Sequence, residues 1–306
     1  MLKRIELAGR TCYKSEDLIT DDSAEKFVKM IIERGHESVL EHASIAIEID
    51  EMFYPYILAL DERDFLNLTK YETEDSFRHI VSGNIHAWRD MFRKEEYYDD
   101  PYLWTLLELL QRKIPHLFAD LKIRYNDNNI KLPVNGVIGI LTGTAHLSAE
   151  ERMKHEYATA RWICNRGVTH ELVRSRRQSS YSQESTRFCN YSKNKFGNEI
   201  TVIDDGQHLE NPTESMKVLK QVHDTCEKAY SDLIELGNKP QIARNILPIG
   251  LKTEIVITYP LFQWHYFFGL RTTKFVHPQM REITIPMLEA FKKYRPGIFD
   301  DIIPDL

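Results

Sequence analysis

Residues 22–50 read DSAEKFVKMIIERGHESVLEHASIAIEID. Two periodicities meet inside this stretch. From Asp22 to Arg34, the apolar residues Phe27, Met30, Ile31 and Ile32 follow an Asp/Ser start and stop at Gly35, which is the punctuation of a helix. From Ser44 to Asp50, Ile45, Ile47 and Ile49 alternate with Ala46 and Glu48, the period-two signature of a half-buried strand. A helix and a strand joined by GHESVLEH predict an α+β fold, a mixed or antiparallel sheet flanked by helices.

Working outward, the same reading predicts a helix over Glu74 to Arg93 and a short one from Tyr102 to Leu110. Between Lys94 and about Ala149 the pattern loosens through NDNNIK and VNGVIGILTG, and an insertion or lid is expected at about 94–150 of a single domain spanning 1–306. Beyond it come a strand at Ala158–Cys164, a helix start at Val168–Arg174 and a polar loop at Ser179–Ser192. A long helix is expected from about Thr213 to Leu236, stopped by Gly237, then a strand at Glu254–Tyr259 and helices around Leu261–Leu270 and Pro278–Lys293.

Composition limits the function classes. The 306 residues carry 40 Lys and Arg against 46 Asp and Glu, a formal charge of −6, with 42% hydrophobic and 28% charged residues. That is the balance of a folded globular chain and disfavours a generally basic nucleic-acid binder. No apolar run reaches the ~18 residues of a membrane span, and the charges in MLKRIELAGR interrupt any leader-like core, so a cytoplasmic protein without membrane or nucleic-acid partners is expected. Cys12, Cys164, Cys189 and Cys226 lie far apart, which predicts reduced thiols and no structural zinc.

Chemistry-bearing residues concentrate in three places. Between Arg166 and Arg187 the chain reads RGVTHELVRSRRQSSYSQESTR, five arginines against two acids, a local charge of +3 interleaved with hydroxyls. Guanidinium forks bind phosphate and carboxylate bidentately, so this segment is an anion-site candidate; a solvated Arg/Ser loop is the equally weighted plain alternative. GHESVLEH sets His36, Glu37, Glu41 and His42 at a helix-to-strand junction. Its histidines are six residues apart and lack the i, i+4 spacing of a zinc protease, so no metal is expected, and one packed with one exposed histidine is the plainer reading. Finally, Trp264, His265, Tyr266, Phe267 and Phe268 run into Arg271 and then His277. Such aromatic density is usually core, yet a ring wall ending in a cation also suits a planar heterocycle.

Taken together, RTCYKS, GHESVLEH, SGNIHAWRD, RGVTHELVR, SQESTRF, ARNILP and GLRTTKFVHPQMRE resemble, in this order, the flavin-dependent thymidylate synthases. The resemblance covers roughly Met1–Arg93 and Glu156–Tyr294. It implies the fold of that family and a homotetramer with active sites between subunits. It further implies FAD as cofactor, with NADPH and methylenetetrahydrofolate as co-substrates in the reductive methylation of dUMP to dTMP. Arg271 then matches the catalytic arginine at the uracil ring. Glu171, Gln183, Ser185 and Arg187 match nucleotide-binding positions, and Arg244 a phosphate-binding arginine from a neighbouring subunit. His42, Arg174, Ser175, Arg176, Tyr266 and His277 match the flavin and folate side. Two positions depart from the family pattern: Ser175 stands where the Arg-His-Arg motif has histidine, and Tyr266 where Asn or His is expected. Arg177 is the expected compensating cation for Ser175. The departures keep open a homologue with lost or altered activity, including a variant pyrimidine methylation or hydroxymethylation. An RNA-binding Arg/Ser segment remains the weaker rival.

Overall fold

The computed structural model describes all residues except 52–65, 73–75, 95–99, 123–136, 142, 145, 176–177 and 306. Helix α1 (Leu2–Tyr13) and helix α2 (Ser23–Glu33) lead into a 3₁₀ turn, Glu37–His42. Strand β1 (Ser44–Asp50) follows, then β2 (Asn67–Glu72), β3 (Phe77–Asn84), α3 (Ile85–Arg93), α4 (Pro101–Lys113), α5 (Pro115–Phe118) and β4 (Val137–Ile140). The sheet order is β2-β3-β1-β4 with antiparallel pairing throughout. Next come α6 (Ala149–His155), β5 (Tyr157–Asn165), α7 (Arg166–Leu172), β6 (Ser180–Gln183), α8 (Pro212–Glu235), α9 (Pro240–Ala243), β7 (Lys252–Pro260), α10 (Leu261–Arg271) and α11 (Pro278–Tyr294). Here β7 sits between β5 and β6, again antiparallel. The architecture is therefore α+β, and of the two sheet types expected it is the antiparallel one.

The opening stretch folds as its periods dictate. Phe27, Val28 and Ile31 of α2 and Ile45, Ile47 and Ile49 of β1 are buried in one cluster around Trp88. The segment expected as a helix from Glu74 to Arg93 instead holds a strand and a helix. Branched Ile80 and Val81 sit in β3, and Asn84 ends it, its side chain accepting from the Ala87 amide to cap α3. The expected Ser179–Ser192 loop begins with a strand, since Ser180 pairs with Thr258 and Gln183 with Ile255. Its serines are buried against polar partners, so the apolar alternation that announces a strand is missing.

The insertion or lid expected at about 94–150 contains packed helices where it is described. Asp100 caps α4, accepting from the amides of Tyr102 and Leu103, and Pro101 occupies its first turn. Leu103, Leu107 and Leu110, with Leu117 and Phe118 of α5, are buried in the same cluster as β1, and β4 extends that sheet. The described part of 94–150 thus includes core, and only the loop-like composition around it suggested a cover.

A polar seam joins the sheets. His42 is fully buried, with Nε2 at 2.9 Å from Ser182 Oγ and Nδ1 at 2.9 Å from Thr258 Oγ1. His155 lies between Ser82 Oγ at 2.7 Å and Thr69 Oγ1 at 2.8 Å. Burial pushes His42 down to about 3 and His155 to about 4, so both rings are neutral at pH 7.

Candidate active site

The aromatic helix α10 buries Trp264, Phe267 and Phe268 against β5 and β7, which follows from their helical spacing. The opposite face carries Tyr266, 60% exposed, and Arg271 ends the helix. These two residues, with Arg174, Ser175, Phe262, Gln263, Phe267 and Leu270, line a cavity of about 740 Å³. Four residues expected at the site from the sequence, Arg174, Ser175, Tyr266 and Arg271, therefore converge although 97 residues separate the first from the last.

Arg271 is held from α7. Its Nη1 donates to Glu171 Oε2 at 3.1 Å and its Nη2 to the Glu171 carbonyl at 2.9 Å. Two bonds from one guanidinium to one residue fix its plane while leaving the remaining donors for a ligand. Glu171, expected to touch nucleotide, is thus first an orienting group for Arg271. Behind the loop, the Tyr181 hydroxyl donates to the Ser175 carbonyl and lies 2.7 Å from the Tyr259 hydroxyl, tying Ser175 to the floor of the smaller sheet. Burial raises the pKa of both phenols, which keeps these bonds neutral.

A second cavity, of about 830 Å³, is lined in part by Gly167 and Val168 of α7. Glu171 and His277 line it, with Asn165, Asp205, His208 and Gln279 among the polar groups and Met216, Leu219 and Val222 of α8 on the apolar side. His277 is exposed and caps α11, its Nδ1 accepting from the Gln279 amide at 3.3 Å.

The other expected residues lie elsewhere. The Gln183 amide donates to Thr169 Oγ1 and Thr253 Oγ1, an internal tie between α7 and β7, and Gln183 lines neither cavity. Ser185 donates its backbone amide to the Cys12 carbonyl, which seats the STR triplet on the end of α1. Arg187 is exposed, and its Nε donates to Gln241 Oε1 at 3.3 Å, three residues before exposed Arg244. Within one chain, the Arg187 loop meets the turn that carries Arg244. His42, expected against flavin and folate, has no exposed surface and both ring nitrogens are bonded within the chain; the packed-histidine reading holds, with His36 exposed. Arg176 and Arg177, and with them the expected compensation of Ser175, lie outside the described residues. Among the described residues no cluster of three His, Cys, Asp or Glu side chains could hold a metal ion.

Sequence reading missed Gln178, Tyr181, Phe262 and Asn67. Gln178 and Tyr181 lie within the arginine-rich segment itself, but nothing in a polar run distinguishes an anchor from a ligand contact. Phe262 was hidden among core aromatics.

Arg174 and Arg271 thus meet aromatic side chains on one cavity of an α+β scaffold of antiparallel sheets. The family model described as thymidylate synthase complementing protein matches residues 1–53 and 122–297, and the chain belongs to that family. The unmatched internal segment is 54–121, rather than the 94–155 that separates the two stretches of motif resemblance. Among similar proteins, a flavin-dependent thymidylate synthase of Geobacter sulfurreducens is 29% identical over 140 residues, covering 46% of this chain and 58% of that protein. The Pyrococcus furiosus flavin-dependent thymidylate synthase is 33% identical over 141 residues, 46% of this chain and 54% of that protein. The Pyrococcus horikoshii one is 35% identical over 130 residues, 42% and 52%. The chain spans somewhat over half the length of the curated relatives it matches.

Proposed function

We propose that the chain is a single-domain subunit of an enzyme that methylates dUMP to dTMP, with methylenetetrahydrofolate as one-carbon donor and FAD reduced by NADPH. The observation that carries this reading is the meeting of Arg174, Ser175, Tyr266 and Arg271 on one cavity of about 740 Å³. An exposed phenol ring beside Phe262 suits a planar heterocycle, and two guanidiniums suit the phosphates or the imide edge attached to it. The residues present therefore fit FAD and a pyrimidine nucleotide, and Arg174, Ser175 and Tyr266 would hold the flavin. When bound, the flavin supplies the hydride that reduces the transferred carbon to a methyl group.

Arg271 acts on the pyrimidine. Oriented by Glu171, it stabilises negative charge as that charge develops on the ring, a contribution available only in the transition state. Ser185, Arg187 and Arg244 form the phosphate end. They line neither the 740 Å³ nor the 830 Å³ cavity, and in this reading a homotetramer with sites between subunits would bring the phosphate end of one chain to the ring end of another. The test is spectroscopic and chemical. Purified protein loaded with FAD should show bound-flavin absorbance and form dTMP from dUMP, methylenetetrahydrofolate and NADPH; protein that binds FAD and dUMP but forms no dTMP would support a nucleotide-binding homologue instead.

A further inference from the structure

The arginine-rich loop emerges from α7 and must end where β6 begins, and the residue at that end has an unusual backbone. Gln178 has φ +51°, in the left-handed region that a non-glycine side chain adopts only under constraint. Its side chain is buried and paired reciprocally with Asn67 of β2. Asn67 Nδ2 donates to Gln178 Oε1 at 2.8 Å, and Gln178 Nε2 donates to Asn67 Oδ1 at 3.0 Å. Asn67 is in turn fixed, because the same Nδ2 lies 2.9 Å from the Lys154 carbonyl and 3.2 Å from the Tyr157 hydroxyl. Two residues further on, Ser180 Oγ donates to the Glu41 carbonyl at 2.8 Å, a second tie on the same end of the loop.

We propose that Asn67 is a positioning residue for the arginine-rich loop: its amide pair with Gln178 holds the left-handed turn that aims the loop at its anionic ligand. The loop's other end is set by α7 and by the Tyr181 bond to Ser175, so Asn67 fixes the end those contacts leave open. Asn67 lies within 54–121, the segment the family model does not match. A strand in the unmatched segment thus sets the geometry of a loop in the matched one. This inference rests on the reading of the loop as a flavin and nucleotide site.

The test is a double-mutant cycle on Asn67→Ala and Gln178→Gly, read as FAD and dUMP dissociation constants. Glycine keeps the left-handed backbone available while removing the side chain, so this variant probes the pair without disturbing β2. Each single variant should weaken binding roughly 2- to 30-fold, and the double variant should be no weaker than the worse single. Wild-type affinity in either single variant, or losses that multiply in the double variant, would overturn the proposal. Amide hydrogen exchange without ligand separates this outcome from failure of the functional reading. If wild-type protein binds neither FAD nor dUMP, that reading falls, and the pair is judged on exchange alone: faster exchange of residues 178–180 in Asn67→Ala supports it, and unchanged exchange overturns it.

Discussion

A guanidinium bonded to both the carboxylate and the carbonyl of Glu171 is set in direction before any ligand arrives. Preorganised charge of this kind is worth most where charge develops late, so Arg271→Ala should lower kcat by ~10²–10³ with the fold intact, checked by circular dichroism and single-turnover dTMP formation. Arg187→Ala should instead raise the KM for dUMP with a smaller change in kcat, because phosphate charge is the same in ground and transition states. Steady-state kinetics on both variants separates the roles. Arg271 stood out in the sequence because it closes an aromatic run and because the resemblance matches it to the catalytic arginine. The orienting role of Glu171 was not legible there, since nothing local says that a carboxylate on α7 faces the end of α10, 100 residues away. His42 shows the converse. The family resemblance implied a ligand contact, and burial between Ser182 and Thr258 uses both nitrogens.

At the scale of elements, the 3₁₀ turn is gripped from α3. Arg89 and Arg93 both bond the Glu37 carboxylate, at 3.0 and 2.6 Å, and Arg89 also reaches Asp120 at 2.6 Å. Burial alone would raise the pKa of Glu37, but the hydrogen bonds from Arg93 and Arg89 bring it down to about 2. The seam histidines shift the same way, from 6.5 to about 3 for His42 and about 4 for His155. For each of these groups the folded pKa lies below the unfolded one, so the unfolded chain binds more protons as pH falls, and stability present above the unfolded pKa is lost on the way down. The histidines act from about pH 6.5 and Glu37 from about 4.5. Each buried histidine should contribute a slope of up to about 1.4 kcal/mol per pH unit below the unfolded value. Urea unfolding between pH 7 and 4 measures the summed slope, and a flat profile would refute the buried neutral seam. A second element-scale test concerns α4. Leu107→Ala should destabilise by ~2–5 kcal/mol if the helix is core, and far less if it covers a solvent-exposed mouth. The short helix expected at Tyr102–Leu110 is α4, which Asp100 caps and Pro101 opens. Strand β6 was not readable in sequence, because its buried face is serine and answers to a histidine from another element.

At the scale of the whole molecule, the ring end of the proposed site and its phosphate end do not share a cavity. Arg187 meets the Gln241 turn within the chain, so Arg187 and Arg244 form one module, while Arg174 and Arg271 form another. Under the proposed function, each module of one protomer would be half of a binding site, and a closed symmetric assembly would set the phosphate module of one copy against the ring module of the next. Arg271→Ala and Arg244→Ala chains, mixed, allowed to exchange subunits and assayed at dUMP far below the KM of Arg244→Ala, where both defects show as lost activity, distinguish the two arrangements. If one site draws Arg271 from one chain and Arg244 from another, random mixing should leave about a quarter of the sites with both arginines, so activity should return to about a quarter of wild type. If both arginines serve the same site from one chain, every site keeps one defect and the mixture stays inactive. Light scattering on the same samples should show a tetramer, and a monomer at micromolar concentration would remove the shared site together with the rescue. A tetramer without rescue would retain the assembly and move the site within the chain. The 740 Å³ cavity would then have to reach Arg187 through a rearrangement of the loop that Gln178 anchors.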